Sequence, residues 1–227
     1  MKYFFSLFVI ASITLSCIQS NSEKSHFLFN EGVSLSLNAT NELQKGNIEK
    51  HETLNKMAIK KFIEVLSIDS LHKLAPSALG HCNYEIKKFK EGVQWFQKAI
   101  KTDSTLAVNY RELGLCKINL GEFDASQEAF RKAFELDKSQ EIKEVTISDL
   151  QQISSLAFDY SKTYIKQGEE EKGIQYKQFS VGVLFIAHSI DSTNISTLTE
   201  IANFTSLLGD TVTSNIYTQK KRALTQK

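Results

Sequence analysis

Apolar residues recur along most of this 227-residue chain at the three- and four-residue spacing of amphipathic helices. Tyr110 and Leu113 lie on one stripe of a first helix that ends at Gly121. Phe123, Phe130, Ala133 and Phe134 form the apolar face of a second helix, whose charged residues lie on the opposite face. Strand-like runs that alternate apolar and polar residues are nearly missing, and the chain has a single proline, Pro76. The pattern therefore predicts an all-α protein.

One helical hairpin recurs at an interval of 34 residues, which separates Leu79-Gly80-His81-Cys82 from Leu113-Gly114-Leu115-Cys116. The same interval separates three further pairs: Phe89 and Phe123, Phe96 and Phe130, Asp103 and Asp137. A fixed period of this length indicates stacked helical hairpins, none of which can bury its apolar face alone. The sequence therefore favours a binding scaffold, without saying what it binds.

The residues at this period resemble those of the tetratricopeptide repeat (TPR) family. The second copy has the family's residues in order: Leu113-Gly114, Gly121, Phe123, Phe130, Ala133 and Asp137. The first copy departs from the pattern at Pro76, Lys87 and Gly92. The resemblance implies a TPR-like α-solenoid of about four to five antiparallel helix pairs, with the clearest repeats at about 73–106 and 107–140.

Weaker copies flank the two clear repeats. Met57 to Asp69 matches a second helix, and its partner is predicted at Phe27 to Lys45, ending at Gly46, with an insertion of roughly a dozen residues. Downstream, the pattern predicts a long helix that stops at Gly168 and further helices at Glu169–Ser189, about Ser196–Leu208 and onward to about Leu224. The apolar run Val181 to Ala187 is predicted to be enclosed by its neighbours.

The N-terminus has the form of an export signal. Met1-Lys2 precedes an apolar run, Tyr3 to Leu15, that is too short to span a bilayer. Ile13-Thr14-Leu15-Ser16-Cys17 then resembles the lipobox of bacterial lipoproteins, which implies cleavage before Cys17 and a lipid on its sulfur. The alternative is an ordinary signal peptide or an N-terminal anchor helix.

The predicted organisation is a lipoprotein signal peptide at 1–16, a short polar tether at 17–25 and a TPR-like helical repeat domain at 26–227. Attached acyl chains would hold the protein at a membrane. Because Glu23 is the one acidic residue shortly after Cys17, we expect the periplasmic side of the bacterial cell envelope. The 27 basic and 26 acidic residues nearly balance, which argues against nucleic-acid binding.

The sequence shows no catalytic motif, and the five histidines lack metal-ligand spacing, so we expect neither an enzyme nor a cofactor or metal site. Cys82 and Cys116 occupy equivalent positions in adjacent repeats. Equivalent helices pack about 9–10 Å apart, which exceeds the reach of a disulfide. Both cysteines are therefore predicted to be packing residues.

The TPR resemblance implies a concave groove lined by the first helix of each hairpin. The groove residues predicted from it are Ser77, His81, Tyr84 and Glu85 in one repeat and Val108, Arg111, Leu115 and Ile118 in the next. The stations of the family's carboxylate clamp hold Ser77, His81, Arg111 and Leu115, so that specificity is not expected. A partly aromatic groove with one arginine suits a peptide anchored by apolar side chains.

Two function classes follow. The first is a lipid-anchored envelope scaffold that binds a protein or peptide partner, with assembly of an envelope complex as a candidate role. The second is an envelope lipoprotein that binds a carbohydrate or another small ligand. The first is favoured because ligand binders of the helical-repeat type generally need added loops or a second domain.

Overall fold

The computed structural model describes residues 2–226, with side chains from residue 20 onward. Within that range the chain forms ten α-helices and no strand, which confirms the predicted all-α, TPR-like fold of helix pairs. The helices are α1 (Lys2–Gln44), α2 (Ile48–Ile68), α3 (Ala75–Glu85), α4 (Phe89–Thr102), α5 (Ala107–Asn119), α6 (Phe123–Leu136), α7 (Gln140–Lys166), α8 (Glu170–Ile190), α9 (Ile195–Leu207) and α10 (Thr211–Thr225).

The chain divides into two compact units, Met1–Cys116 and Lys117–Lys227. The first unit holds the hairpins α1–α2 and α3–α4 and most of α5. The second holds α6 and the hairpins α7–α8 and α9–α10. Both units are built by the same rule, since an amphipathic helix buries its apolar stripe against the helix that follows it.

Most turns between paired helices use a glycine in the left-handed backbone conformation. Gly46, Gly121, Gly168 and Gly209 have φ values of 81°, 77°, 83° and 81°. A glycine adopts this conformation without the clash that a Cβ atom would cause. The predicted helix ends at these glycines are confirmed. The α3–α4 turn has Lys87 at this position instead, with φ 60°.

The core of the first unit places a phenylalanine ring against a glycine in each hairpin. Phe62 packs on Gly32 and Phe96 on Gly80, so closely that an added Cβ would lie 2.6 Å and 2.8 Å from the respective ring. The glycine and the phenylalanine are 30 positions apart in the sequence of the first hairpin and 16 positions apart in the second. The difference agrees with the insertion predicted in the first hairpin, which takes the form of longer helices α1 and α2.

The core of the second unit encloses the apolar run of α8. Val183, Leu184 and Ala187 are fully buried, and Val181 and Ile186 nearly so. Phe185 is the exposed member and lies 5.9 Å from the ring of Tyr217 on α10. The predicted enclosure of this segment is therefore confirmed except at Phe185.

Cys82 and Cys116 are free and buried, as predicted for packing residues. Burial raises the pKa of the Cys82 thiol to about 11 and that of Cys116 to about 12. The Cys116 sulfur fills the space beside Gly92, where a Cβ would approach it to 2.8 Å. The small residue that departs from the repeat pattern at position 92 thus makes room for this thiol.

The side chain of Cys17 lies outside the described residues, so its lipidation and the signal peptide at 1–16 stay predictions. Residues 20–25 of the expected tether continue helix α1, and most of their side chains are exposed. Among the residues whose side chains the structure describes, no helix combines the length and the apolar character needed to cross a membrane.

Candidate partner-binding surface

The first helices of two successive hairpins, α3 and α5, lie side by side and exchange polar contacts. The Ser77 hydroxyl donates a hydrogen bond to Asn109 Oδ1 at 2.7 Å. One turn further along each helix, His81 Nδ1 lies 3.7 Å from Glu112 Oε2. We call the surface formed by Ser77, His81, Tyr84, Val108, Arg111 and Glu112 the α3–α5 face.

Glu112 is the centre of the charged part of this face. Its Oε1 accepts a hydrogen bond from Arg111 Nη1 at 2.5 Å, while its second oxygen faces His81. The side chains of Arg111 and Glu112 are only 10% and 12% exposed, whereas that of His81 is 47% exposed. His81 is therefore the ionisable group of the cluster that is most accessible to a partner.

The neighbouring carboxylate decides the proton affinity of His81. The interaction with Glu112 raises the pKa of His81, against the opposing effects of burial and of the Arg111 charge. Glu85, one turn further along α3, also favours the protonated imidazole. An imidazolium here would donate a charge-assisted hydrogen bond to a partner or to Glu112.

Tyr84 and Glu85 form the end of the face. Tyr84 is half-buried, and its ring meets the edge of the Phe89 ring at 5.6 Å. Glu85 Oε2 lies 3.5 Å from Nε2 of the buried His51, which connects α3 to α2. Both side chains are thus fixed by packing before any partner arrives.

Leu115 and Ile118 are not available on an open groove. Leu115 is 2% exposed and Ile118 is fully buried, so both act as core residues in this conformation. Arg111 is also largely buried and paired with Glu112, whereas Val108 is half-exposed. The geometry therefore differs from the expected groove at Leu115 and Ile118, because apolar side chains at these positions gain more by packing than by facing water.

Asn109 and Glu112 also contribute to the face, although neither is among the groove residues predicted from the sequence. Asn109 follows Ser77 by 32 residues and Glu112 follows His81 by 31, close to one repeat length. Two polar residues separated by slightly less than one 34-residue period face each other across adjacent first helices. This spacing is the feature of the sequence from which Asn109 and Glu112 could have been predicted.

The described residues show no metal site, because nowhere do three or more His, Cys, Asp or Glu side chains gather in a suitable arrangement. The acidic and imidazole groups of the α3–α5 face pair with one another instead. What this arrangement offers is a rigid, polar surface with one exposed imidazole.

Residues 109–140, which span α5 and α6, match the model of a tetratricopeptide repeat. No curated protein sequence matches the chain significantly. The fold is similar to that of a MamA protein, with 18% identity, 91% of this chain and 94% of that chain covered, and a TM-score of 0.48. It is also similar to that of MamA 41-end from Desulfovibrio magneticus RS-1, with 11% identity, 86% of this chain and 96% of that chain covered, and a TM-score of 0.42. YrrB, a TPR protein with an unusual peptide-binding site, has 12% identity, 84% coverage of each chain and a TM-score of 0.44.

Proposed function

We propose that the protein is a scaffold that binds a peptide segment of a partner protein across the α3–α5 face. The observation that carries the proposal is the pairing of two first helices through Ser77–Asn109 and His81–Glu112, which leaves His81 and Val108 exposed between fixed neighbours. Because Ser77 and Asn109, and Arg111 and Glu112, are already held by one another, binding loses little entropy at these four side chains. The tetratricopeptide repeat at 109–140 supports a function in protein binding.

The charges of the face indicate the kind of peptide. Arg111 is satisfied by Glu112, so it does not offer a free cation to a terminal carboxylate. The exposed groups are an imidazole, a valine and part of a tyrosine ring. This set suits a peptide that combines apolar side chains with hydrogen-bonding groups, rather than a strongly acidic tail.

We further propose that a lipid on Cys17 holds the scaffold at a membrane of the bacterial envelope, facing the periplasm. The support for this is the sequence Ile13 to Cys17 after an apolar run of signal-peptide length. The change Cys17→Ser removes the sulfur that would carry the lipid. It should abolish fatty-acid labelling and leave a longer precursor, whereas unchanged labelling would contradict the anchor.

Site-specific crosslinking tests the binding face. A photoreactive amino acid at position 81 should crosslink one partner, to be identified by mass spectrometry, and the same group at exposed Gln97 on the second helix α4 should not. The variant His81→Ala should then weaken binding of the purified partner, while Gln97→Ala should not change its Kd. Crosslinking from position 97 with none from position 81 would place the binding surface elsewhere.

Arg111→Glu is a poor probe of the face. Its side chain is largely buried against Glu112, so a glutamate there would repel Glu112 and cost more than about 1 kcal/mol of stability. His81, being more exposed, separates binding from folding better.

A cluster of tyrosines favours the second function class, binding of a carbohydrate or small ligand. On α7 and α8, the rings of Tyr164 and Tyr176 stack at 5.2 Å, and Tyr160 lies 5.8 Å from Tyr176. Lys172 Nζ covers the Tyr164 ring at 3.8 Å. Amphipathic rings of this kind offer an apolar face and a hydroxyl to a ligand. Shifts of the Tyr160 ring signals in an NMR titration with envelope saccharides would support this function, and unchanged signals would exclude it for the sugars tried.

A further inference from the structure

One end of the first unit exposes large apolar side chains close to the N-terminal segment. Leu71 is 82% exposed, Phe27 is 63% exposed and Leu74 is 50% exposed. Leu71 and Leu74 lie in the turn from α2 to α3, and Phe27 lies on α1. Leu71 has the highest exposure among the large apolar side chains of the described residues. Exposed leucines and phenylalanines at one end of a unit are candidates for a contact with another surface.

Contacts of their neighbours place these residues at the same end. The ring of Phe29 on α1 lies 4.7 Å from the ring of His72 in the turn. Leu28 packs with Val65 of α2 and Ala75 of α3 in one core cluster. Phe27 on α1 and Leu71 in the turn each directly adjoin one of these contacting residues.

A comparison of four equivalent turns shows that Leu71 is exceptional. In each turn an aspartate side chain accepts a hydrogen bond from the backbone N–H two residues later: Asp69 from Leu71, Asp103 from Thr105, Asp137 from Ser139 and Asp191 from Thr193. The donors in the other three turns, Thr105, Ser139 and Thr193, are hydroxyl residues that suit an exposed turn. Among these four turns, only the α2–α3 turn has a leucine two residues after the aspartate. The backbone hydrogen bond does not require a leucine at this position, since the other three turns form it with threonine or serine.

Cys17, the predicted lipid-carrying residue, lies close in the sequence to this end of the first unit. Cys17 and Phe27 are both on α1, ten residues apart by number. Ten helical residues rise about 15 Å, and even a fully extended segment would reach no more than about 36 Å. A lipid on Cys17 would thus keep the apolar end of the first unit close to the bilayer surface.

We propose that Phe27, Leu71 and Leu74 dock into the surface of the membrane that holds the lipid on Cys17. The proposal rests on the proposed anchor and adds a second contact, which sets the orientation of the first unit. The α1–α2 and α3–α4 turns, at Gly46 and Lys87, lie at the other end of these hairpins, where His51 contacts Glu85, and then point away from the bilayer. Apolar side chains that enter the interface strengthen attachment in proportion to the area they bury.

The charges at this end show that the attraction is apolar. Both signs occur here: Glu23 and Lys24 on α1, Asp69 and Lys73 in the turn, Glu31 paired with Lys61, and Asp103 close to Lys73. A set without an excess of positive charge gains little from anionic lipids. Docking should therefore occur equally on zwitterionic and anionic vesicles and should resist salt.

A polarity-sensitive dye on single cysteines tests the contact. The lipidated full-length protein is placed in phosphatidylcholine vesicles, with and without phosphatidylglycerol, carrying the dye at Leu71→Cys or at the control Lys88→Cys in the α3–α4 turn. Cys82 and Cys116 are buried with raised thiol pKa values, so they leave labelling to the introduced cysteine. Dye at position 71 should shift to the blue and be quenched by spin-labelled lipid in both vesicles and at high salt, and dye at position 88 should not.

A second variant keeps the test independent of the label at position 71. With the dye at Phe27→Cys, the added change Leu71→Thr introduces the hydroxyl type of residue found in the other turns and should lower quenching by spin-labelled lipid, because less apolar area enters the interface. Water-like emission at position 71 in protein whose Cys17 lipid is verified by mass spectrometry would overturn the docking proposal alone. A blue shift that appears without vesicles and grows with protein concentration would also overturn it, in favour of self-association. An unlipidated Cys17 would overturn the proposed anchor instead.

Discussion

Lys87 and Gly121 occupy the same position of two turns 34 residues apart, and both have the left-handed backbone conformation, with φ 60° and 77°. The hydrogen bonds of the two turns are the same: Lys87 N–H donates to Tyr84 O and Gly121 N–H to Ile118 O, each at 2.9 Å. The packing of α3 against α4 thus imposes on a lysine a conformation that a residue with a Cβ atom rarely adopts.

Lys87→Gly should therefore stabilise the protein. Removing the Cβ relieves a strain of about 1–2 kcal/mol, part of which is lost to the greater freedom of glycine in the unfolded chain, so we expect a net gain of about 1 kcal/mol. Urea unfolding followed by circular dichroism measures the change. The matched control Gly121→Ala should lower stability by a similar amount, and a destabilised Lys87→Gly would contradict the strain.

Gly80→Ala should destabilise the protein by overpacking. The new Cβ would lie 2.8 Å from ring atoms of Phe96, which is itself fully buried. Overpacking of this kind costs about 1–3 kcal/mol. The double variant Gly80→Ala/Phe96→Leu should recover part of the loss, as measured by a double-mutant cycle in urea. Strictly additive effects of the two changes would show that the contact is not as close as described.

The pair His81–Glu112 should give a measurable pH effect. Because Glu112 raises the folded-state pKa of His81 above its ordinary value of about 6.5, the contribution of the pair is fully present below that value and is lost as the pH rises through the folded pKa. With His81 half-exposed, the contribution should stay below about 1 kcal/mol.

NMR titration of the His81 ring measures this effect directly. In Glu112→Gln the pKa of His81 should fall, because the main cause of its rise is removed. His72 and His188 serve as internal controls, since desolvation lowers the pKa of each and their titrations should not respond to the change. A His81 pKa that is equal in wild type and variant would contradict the pairing.

The two described cysteines should be unreactive in the folded protein. Burial raises the thiol pKa of Cys82 to about 11 and that of Cys116 to about 12, so little thiolate is present at neutral pH. Alkylation at pH 7.5 should be slow in the native state and fast in urea, with mass spectrometry identifying the modified residue. Rapid native alkylation of either thiol would show that its helix opens more readily than its burial indicates.

The candidate surface was only partly predictable. The repeat placed His81 and Tyr84 on α3 and Arg111 on α5, because a 34-residue period fixes which helix each residue occupies. It could not assign exposure to Leu115 and Ile118, since an apolar residue on a first helix can face either a groove or a neighbouring helix. Glu112 was missed because its importance arises from a contact with His81, which is distant in the sequence.

The sequence by itself determined the helical class, the helix ends at the turn glycines and the pairing of consecutive helices, because these follow from local periodicity and from the conformational freedom of glycine. It also determined that Cys82 and Cys116 are packing residues. Only the tertiary structure decided that Lys87 adopts a glycine-like conformation, that Phe62 meets Gly32 across a longer hairpin, and that Leu71 stays exposed. Such features depend on which atoms come together when helices pack, and local sequence does not contain that information.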